Sequence, residues 1–328
     1  MKKQKASEPN VVNIDALNRV RAAHNFLMKR KKGDYSIEEL NSHNEYVNNL
    51  LTEAQKEHKT YKVGLMFICI NQPYWQYLKP VIEGARQFFL PGHDVEIMVW
   101  NDMQQYPEAK DVNYGATIFP TQSIEWPYPT LMRYNYFLQQ EEYLQKFDYL
   151  FYLDLDMRLV NIVGDEILGE TLTMAQHPMY ALPQHLWYPY EPNPESEAYI
   201  PQPGRIVDNN GRKYFEPLYA AGGLQGGKTH LFIDAMKAMQ KGIDEDMKRG
   251  YIARWNDESH WNKYLYQRGM QDLVVLSPSY VYPDSMIDGY YKPKVWNRDF
   301  CPRIITLTKP FSTSKEGGAA AAELMKQT

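Results

Sequence analysis

The sequence has little cysteine, no long apolar run and no excess of positive charge. Only two of its 328 residues are cysteines, and Cys69 and Cys301 lie far apart in the chain. Two distant cysteines give no basis for a disulfide framework and argue against a CxxC metal or redox pair. The sequence therefore favours a reducing compartment.

The apolar residues are divided into short segments. No segment approaches the roughly 20 apolar residues that a membrane-spanning helix needs. The opening MKKQKASEPNVV also lacks the apolar core of a signal peptide. We therefore expect a soluble, cytoplasmic protein without a membrane anchor.

The net charge of −4 gives no general attraction to nucleic acid, so we expect no nucleic-acid partner. Any anionic ligand must then be bound by a local site. Hydrophobic residues make up 44% of the chain, which at this length is enough to bury a large core. The composition is that of a globular protein.

Strand-like and helix-like segments alternate from residue 62 onward. The runs rich in strand-forming residues are 63–70, 94–100, 114–120 and 148–154, and helix-length segments lie at 74–89 and 130–147. This alternation predicts an α/β fold with a Rossmann-like, mostly parallel central sheet flanked by helices. Ligands of such sheets bind beyond the carboxyl ends of the strands.

The composition divides the chain into three parts. Residues 1–60 are polar with a helical pattern, and we expect them to lie outside the main core as an N-terminal extension. Residues 61–315 form the predicted α/β domain, and 316–328 form a low-complexity, flexible tail. Within the domain, residues 177–217 are dense in Pro, Tyr and Trp, as is typical of loops that surround a ligand.

Two aspartates follow one of the predicted strands, in the stretch FYLDLDMRL. In a strand, Asp154 and Asp156 would face the same side while Leu155 faces the other. Two carboxylates that close repel each other, and a divalent cation such as Mg²⁺ or Mn²⁺ removes the conflict. The alternative is a strand end whose aspartates cap a helix or pair with Arg158.

A second acidic pair lies in RWNDESHWNKYL, where Asp257 and Glu258 follow Trp255. An aromatic ring beside a carboxylate is a typical way to bind a sugar. An acid next to an anomeric carbon can also act as a nucleophile or stabilise an oxocarbenium-like transition state. The alternative is a helix start whose acids complement the helix dipole, with Trp261 in the core.

The segment AAGGLQGGK (220–228) is rich in glycine and precedes a predicted helix at 229–250. It has neither the spacing of a P-loop nor that of GxGxxG. We interpret it as a tight turn or, equally, as a place where the backbone approaches a ligand closely.

Three further residues carry weaker signals. His177 has no partner at metal-ligand spacing, and a lone histidine is more often a structural hydrogen-bonding residue. Lys309 and Lys315 are simplest to interpret as solvated charges. They would matter if the end of the chain folded over an anionic product.

The order of these motifs resembles a known family. A DxD at a strand end is followed by HP-Y, AYIP, GG-xx-GG and W-x-DESH-x-NKYL, and the similarity covers about residues 62–315. This resembles the family 6 retaining glycosyltransferases, which include the histo-blood-group A and B transferases and the α-1,3-galactosyltransferase. The resemblance implies a GT-A fold, a UDP-galactose or UDP-N-acetylgalactosamine donor, a glycan acceptor and Mn²⁺ (or Mg²⁺). Soluble microbial or viral members are the nearest in organisation.

By this resemblance, Asp154 and Asp156 bind the metal ion and through it the diphosphate of UDP. The other positions implied for the nucleotide and its diphosphate are Cys69, Asn71, Tyr74, Thr130, Arg133, Leu155, Lys309 and Lys315. Cys69 and Asn71 depart from the usual Phe and Ile. The two lysines match basic positions of a C-terminal segment that orders over UDP.

The resemblance also implies roles at the sugar. Glu258 matches the nucleophile or front-face stabiliser, Asp257 the acid that binds donor-sugar hydroxyls, and His177 and Trp255 acceptor-binding positions. Ala221, Gly222 and Gly223 match the triplet that tunes the choice of donor. A bulkier side chain at 223 would collide with an N-acetyl group, so the sequence favours UDP-N-acetylgalactosamine.

Three functions follow from the sequence, in decreasing order of support. The first is a metal-dependent retaining glycosyltransferase that forms an α, and specifically α-1,3, linkage. The second is a non-catalytic sugar- or nucleotide-binding protein on the same fold, against which the four acids argue. The third, a metal-dependent phosphohydrolase, needs more metal ligands than the sequence offers near the DxD.

Overall fold

The computed structural model describes residues 42, 45–49, 60–178, 190–201, 206–207, 213–214, 219–269, 273–286 and 302–309. The strands are β1 (Lys62–Cys69), β2 (Asp94–Asn101), β3 (Thr117–Pro120), β4 (Tyr149–Leu153), β5 (Met157–Leu159), β6 (Leu172–Gln176), β7 (Ile206–Val207), β8 (Lys213–Tyr214), β9 (Ala220–Lys228), β10 (Val274–Leu276), β11 (Tyr282–Pro283) and β12 (Ile304–Thr306). The helices are α1 (Gln72–Phe88), α2 (Tyr128–Leu131), α3 (Arg133–Leu138), α4 (Glu141–Leu144), α5 (Thr229–Lys248) and α6 (Asn256–Arg268).

Seven strands form the central sheet, in the order β10-β6-β9-β4-β1-β2-β3. β1 pairs in parallel with β2 and β4, β2 pairs in parallel with β3, and β10 pairs in parallel with β6. Only β9 runs against its neighbours, β4 and β6. This arrangement confirms the predicted α/β class with a mostly parallel sheet, as expected for a GT-A fold.

Helices cover both faces of the sheet, which is why its strands are apolar throughout. The sequence of β1, KVGLMFIC, has no polar face, as a central parallel strand requires. α1 packs on one face through Leu78, Val81 and Ile82, at helical spacing. α5 and α6 pack on the other face, where Trp261 is fully buried.

A small second sheet attaches the C-terminal part of the described chain to the main domain. Its strands lie in the order β11-β12-β5, and β12 runs antiparallel to β5. The pairing sets Thr306 opposite Met157. The Leu307 N–H then donates to the Asp156 carbonyl at 2.8 Å, so residues 302–309 lie directly beside the DxD segment.

The segment AAGGLQGGK is a nine-residue strand, β9, and the interpretation of it as a turn is wrong. The glycines are required because β9 lies between two strands and is buried on both faces. A Cβ at Gly226 would lie 2.4 Å from the Leu150 carbonyl oxygen, and one at Gly227 would lie 2.4 Å from the Thr171 carbonyl oxygen. Glycine here allows close packing of strands rather than a change of chain direction.

Two other expectations differ from the structure in detail. The predicted helix at 130–147 is three short helices, α2 to α4. In the segment 1–60, residues 45–49 are helical, Val47 is fully buried, and the Asn48 Oδ1 accepts a hydrogen bond of 2.8 Å from Arg303. These residues therefore pack against the domain, while the division of the chain at residue 60 stays a prediction.

None of the helices in the described part of the chain combines the length and the apolar character needed to cross a lipid bilayer. Cys69 carries a free thiol in the core, and Cys301 lies outside the described residues.

Candidate active site

A cavity of about 560 Å³ opens at the carboxyl ends of β1 and β4. Because β9 runs antiparallel to β4, the amino-terminal half of β9 lies at the same edge of the sheet. The Asp154 N–H donates to the Gly223 carbonyl at 3.0 Å, which joins the two segments. The first turn of α6 completes the wall. The predicted site residues that line the cavity are Asn71, Tyr74, Thr130, Arg133, Asp154, Leu155, Asp156, His177, Gly222, Gly223, Trp255, Asp257, Glu258 and Lys309.

The two aspartates of the DxD lie in a turn just beyond β4, which ends at Leu153. Both line the cavity, and Leu155 lines it as well, so the strict alternation expected of a strand is absent here. Asp156 is buried with 6% exposure, and its carboxylate lies 3.1 Å from the Lys309 Nζ. Burial and the nearby Asp154 raise the pKa of Asp156, and Lys309 opposes the rise.

Arg133 connects the two acidic motifs. Its buried guanidinium lies 3.5 Å from the Asp154 carboxylate and 3.3 Å from the Asp257 carboxylate. The guanidinium also lies over the Tyr152 ring at 4.2 Å, and the Tyr152 hydroxyl donates to Asp154. Burial raises the pKa of Asp257 to about 6, against the opposing charge of Arg133. The partners of the DxD are thus Arg133 and Lys309 rather than Arg158.

Glu258 is held by two hydrogen-bond donors. The Tyr219 hydroxyl donates to its Oε1 at 2.7 Å, and the Gly222 N–H donates to its Oε2 at 2.6 Å. Removal of the carboxyl from bulk water raises the pKa of Glu258 to about 7, although both hydrogen bonds lower it, and Asp257 and Asp154 add to the rise. A carboxylate in this state is balanced between its charged and neutral forms near neutral pH.

The first turn of α6 places both acids at the cavity wall. Asn256 has a φ of 49°, and the Trp255 N–H donates to the Ser259 hydroxyl at 3.0 Å, so the chain enters the helix through a fixed turn. Asn262 lies one turn further along α6. Its side-chain oxygen accepts a hydrogen bond of 2.8 Å from the Ala220 N–H, and its side-chain NH₂ donates one of 2.9 Å to the Ala220 carbonyl. The Asn262 amide thereby holds α6 at a set distance from β9.

Tyr219 and Asn262 are residues to which the sequence reasoning gave no role. Asn262 belongs to the DESH-x-NKYL motif, so its position in that motif was the available signal. Tyr219 precedes the glycine triplet among several other tyrosines, and no local pattern distinguishes it.

Three predicted residues do not line this cavity. Cys69 is fully buried in the core, where burial raises the pKa of its thiol, while its neighbours Ile68 and Ile70 line the cavity. Ala221 lines an adjoining cavity of about 320 Å³, which shares His177 and Glu258 with the first. Lys315 lies outside the described residues. Trp255, which does line the first cavity, is 44% exposed.

The carboxylates of Asp154 and Asp156 fit a divalent cation. Their oxygens are the hard ligands that Mg²⁺ and Mn²⁺ accept, and Mg²⁺ is commonly bound through one or two carboxylates together with substrate phosphates. The ammonium group of Lys309 lies beside the Asp156 carboxylate, which shows that this position accepts positive charge. The described ranges contain no group of three or more His, Cys, Asp or Glu side chains that could hold an ion.

Comparison with known proteins shows which family this chain belongs to. The model of glycosyltransferase family 6 matches residues 8–294. The chain is 30% identical over 246 residues to histo-blood group ABO system transferase 1 of Rattus norvegicus, which covers 73% of this chain and 66% of the relative. It is 26% identical over 227 residues to globoside alpha-1,3-N-acetylgalactosaminyltransferase 1 of Homo sapiens, covering 68% and 61%. It is 24% identical over 223 residues to O-antigen biosynthesis glycosyltransferase WbnI of Escherichia coli, covering 68% and 88%.

The chain belongs to glycosyltransferase family 6. The chain spans 66% of the length of the rat relative and 61% of the length of the human relative. The family match begins at residue 8, so it includes most of the segment 1–60.

Proposed function

We propose that this protein is a metal-dependent retaining glycosyltransferase that moves N-acetylgalactosamine, or galactose, from a UDP-sugar to a hydroxyl of a glycan. The new linkage is α, and we propose α-1,3 in line with the name of the human relative. The observation that carries this proposal is that Glu258 and the pair Asp154 and Asp156 line one cavity in a family 6 chain.

In this proposal Glu258 acts at the anomeric carbon of the donor sugar. Transfer breaks the bond between that carbon and a UDP oxygen and joins the carbon to the acceptor oxygen, whose proton is released. Positive charge develops on the sugar ring between these events. A carboxylate beside the ring can stabilise this charge or bond to the carbon as a nucleophile. The bonds from Tyr219 and Gly222 support the role because they fix both carboxylate oxygens.

The departing UDP carries negative charge, which cationic groups at the cavity wall would stabilise. Lys309 and Arg133 each lie beside one aspartate of the DxD. Asp154 and Asp156 would hold Mn²⁺ or Mg²⁺, which when bound neutralises charge on the diphosphate. Lys309 reaches the cavity because β12 pairs with β5, so the C-terminal segment contributes directly to the diphosphate end.

The name of the human relative, an N-acetylgalactosaminyltransferase, supports N-acetylgalactosamine as the transferred sugar. Gly222 and Gly223 both line the cavity, and the space that a side chain at either position would need is taken by Glu258 or by Met157 and Asp154. The glycan acceptor would enter beside His177 and Trp255, which line the same cavity.

A donor screen tests the proposal. The protein is incubated with UDP-sugars and a glycan array in Mn²⁺ or in EDTA, and the released UDP is measured. We expect UDP release with UDP-N-acetylgalactosamine, a smaller rate with UDP-galactose, and loss of both in EDTA and in Asp154→Asn. Glu195→Gln, at an exposed glutamate, is the control and should keep the wild-type rate.

A sugar- or nucleotide-binding protein without turnover would behave differently in the same screen. It would bind UDP-sugars, release no UDP from any of them and be unaffected by Glu258→Gln. That outcome would contradict the proposed transfer activity.

A further inference from the structure

Asp102 is a fully buried aspartate directly after β2. Its carboxylate accepts three hydrogen bonds from neutral groups. The Asn71 N–H donates at 2.8 Å, the Trp75 Nε1–H at 3.0 Å and the Ser123 hydroxyl at 2.7 Å. A buried carboxylate depends on such donors, because leaving its oxygens unbonded would cost far more than a neutral hydrogen bond.

The three donors come from two separate segments of the cavity wall. Asn71 and Trp75 belong to the entry of α1, and Ser123 belongs to the loop after β3. Asn71 adds a direct link, because its side-chain amide donates to the Ile124 carbonyl at 2.9 Å. Asp102 therefore joins the start of α1 to the loop that leads to Trp126.

Both joined segments face the cavity. Asn71 and Tyr74 line it from the α1 side, and Trp126 lines it from the loop side. Asn71 has a φ of 77°, in the left-handed region that residues other than glycine rarely adopt. The bond from its N–H to Asp102 helps to hold this conformation. Loss of Asp102 would remove the hydrogen bond to the Asn71 backbone and would leave the Asn71–Ile124 bond as the remaining described hydrogen bond between the α1 entry and the loop.

We propose that Asp102 is a positioning residue for nucleotide binding: it holds the α1 entry and the 121–126 loop at the spacing that receives the base and ribose of a uridine diphosphate. The inference rests on the proposed function. Asn71 and Tyr74 are positions that the family resemblance implies for the nucleotide, and Asp102 accepts a hydrogen bond from the Asn71 backbone. Small displacements of such a wall weaken binding because prearranged contacts are lost.

The test measures UDP affinity by calorimetry in variants that remove one donor at a time. Trp75→Phe removes the indole N–H and reduces the size of the ring that packs on Tyr106, whereas Ser123→Ala removes only the hydroxyl. We expect each to raise the Kd for UDP by about fivefold, and Asp102→Asn by about tenfold or more. The donor KM should rise in parallel while kcat stays within about twofold, because Glu258 is untouched.

Ser196→Ala is the matched control. The Ser196 hydroxyl donates to the buried Asp246 at 2.7 Å, the same distance as in the Ser123–Asp102 bond. Asp246 lies in α5, outside the nucleotide wall. This variant should keep the wild-type Kd for UDP even if its melting temperature falls.

The outcomes separate the inference from the proposed function. Wild-type affinity for UDP in both Trp75→Phe and Ser123→Ala would overturn the positioning role, whether or not Asp102→Asn folds. A fall in kcat with an unchanged KM would also overturn it. A wild-type protein that does not bind UDP at all would instead contradict the proposed function.

Discussion

Glu258 has two properties that a residue acting at an anomeric carbon needs, a fixed orientation and a tuned charge. The Tyr219 hydroxyl and the Gly222 N–H fix its two oxygens. Its pKa of about 7 means that the charged form is partly lost just below neutral pH. The ionised form is the one that stabilises a positive sugar ring.

The pH dependence of transfer follows from this pKa. In the proposed mechanism the Glu258 carboxylate is the active form, so activity should be low below pH 6 and rise with pH through a midpoint near 7. The Tyr219→Phe variant loses a hydrogen bond that lowers the pKa, so its midpoint should lie at higher pH. Initial rates against pH for both proteins give the two midpoints. A wild-type midpoint near 4, or an unchanged midpoint in Tyr219→Phe, would contradict this interpretation.

Gly222 is required because of its contact with Glu258. A Cβ at Gly222 would lie 2.9 Å from the Glu258 Cβ and 3.1 Å from its Oε2, so the Gly222→Ala variant must displace the carboxylate. We expect kcat to fall roughly 10- to 100-fold with little change in the Kd for UDP, because displacement by a fraction of an ångström is costly at the reacting atom.

Gly223→Ala is the comparison variant. Its Cβ would meet the Met157 Cε at 2.3 Å and the Asp154 Oδ2 at 3.0 Å. The Met157 Cε ends a flexible side chain and can move aside, but the Asp154 Oδ2 belongs to the DxD. We therefore expect Gly223→Ala to weaken binding of the donor rather than to lower kcat. Full kcat in Gly222→Ala would contradict the assignment of Glu258 to the reacting centre.

The sequence could predict the acids of the site, and the family resemblance also implied Arg133 and Lys309, but neither identified Tyr219 or Asp102. Asp154, Asp156, Asp257 and Glu258 stand in short motifs whose spacing carries information, and all four line the cavity. Tyr219 and Asp102 are single residues whose partners come from other parts of the chain. Their roles depend on long-range packing, which leaves no local pattern.

At the level of elements, β9 is the part of the fold in which the sequence was most misleading. Four glycines in nine residues normally favour a turn. Here they occupy a strand between β4 and β6. A side chain at Gly226 or Gly227 would meet backbone atoms of a neighbouring segment, and one at Gly222 or Gly223 would meet side chains. The segment 130–147 likewise predicts one helix, because its periodicity does not show where the chain breaks into α2, α3 and α4.

The stability of β9 should therefore depend on its glycines. At Gly226, an added Cβ would lie 2.4 Å from the Leu150 backbone oxygen, which cannot move independently of the sheet. We expect Gly226→Ala to lower the free energy of unfolding by roughly 1–3 kcal/mol, measured by urea denaturation.

Gly84→Ala serves as the control for this effect. Gly84 lies inside α1, and its added Cβ would make only ordinary contacts with Leu159 at 3.5–3.6 Å. Because alanine favours helices over glycine by up to about 1 kcal/mol, this variant should be as stable as the wild type or more so. Equal stability of Gly226→Ala and the wild type would show that β9 tolerates side chains, against the packing described.

For the whole molecule, the cavity is built from segments distant in the chain. The entry of α1, the end of β4, the amino-terminal half of β9, the start of α6 and the segment ending at Lys309 all contribute to it. The sequence predicted the α/β class because alternation of strands and helices is local information. It could not predict that β12 pairs with β5, which alone explains how Lys309 reaches Asp156.

The overall charge of −4 agrees with a site that attracts its anionic ligand locally. Lys309 and Arg133 are the cations placed beside the DxD in the described part of the cavity. The central claim of the proposed function is that the chain transfers a sugar from UDP with retention and that Glu258 is the carboxylate at the reacting carbon.

Proton NMR of the transfer reaction tests that claim most directly. Wild type and Glu258→Gln are each incubated with UDP-N-acetylgalactosamine, Mn²⁺ and a glycan acceptor, and the anomeric signals of the product are followed over time. We predict an α-linked product from the wild type and a rate at least about 100-fold lower in Glu258→Gln. A β-linked product, or an equal rate in the variant, would contradict it.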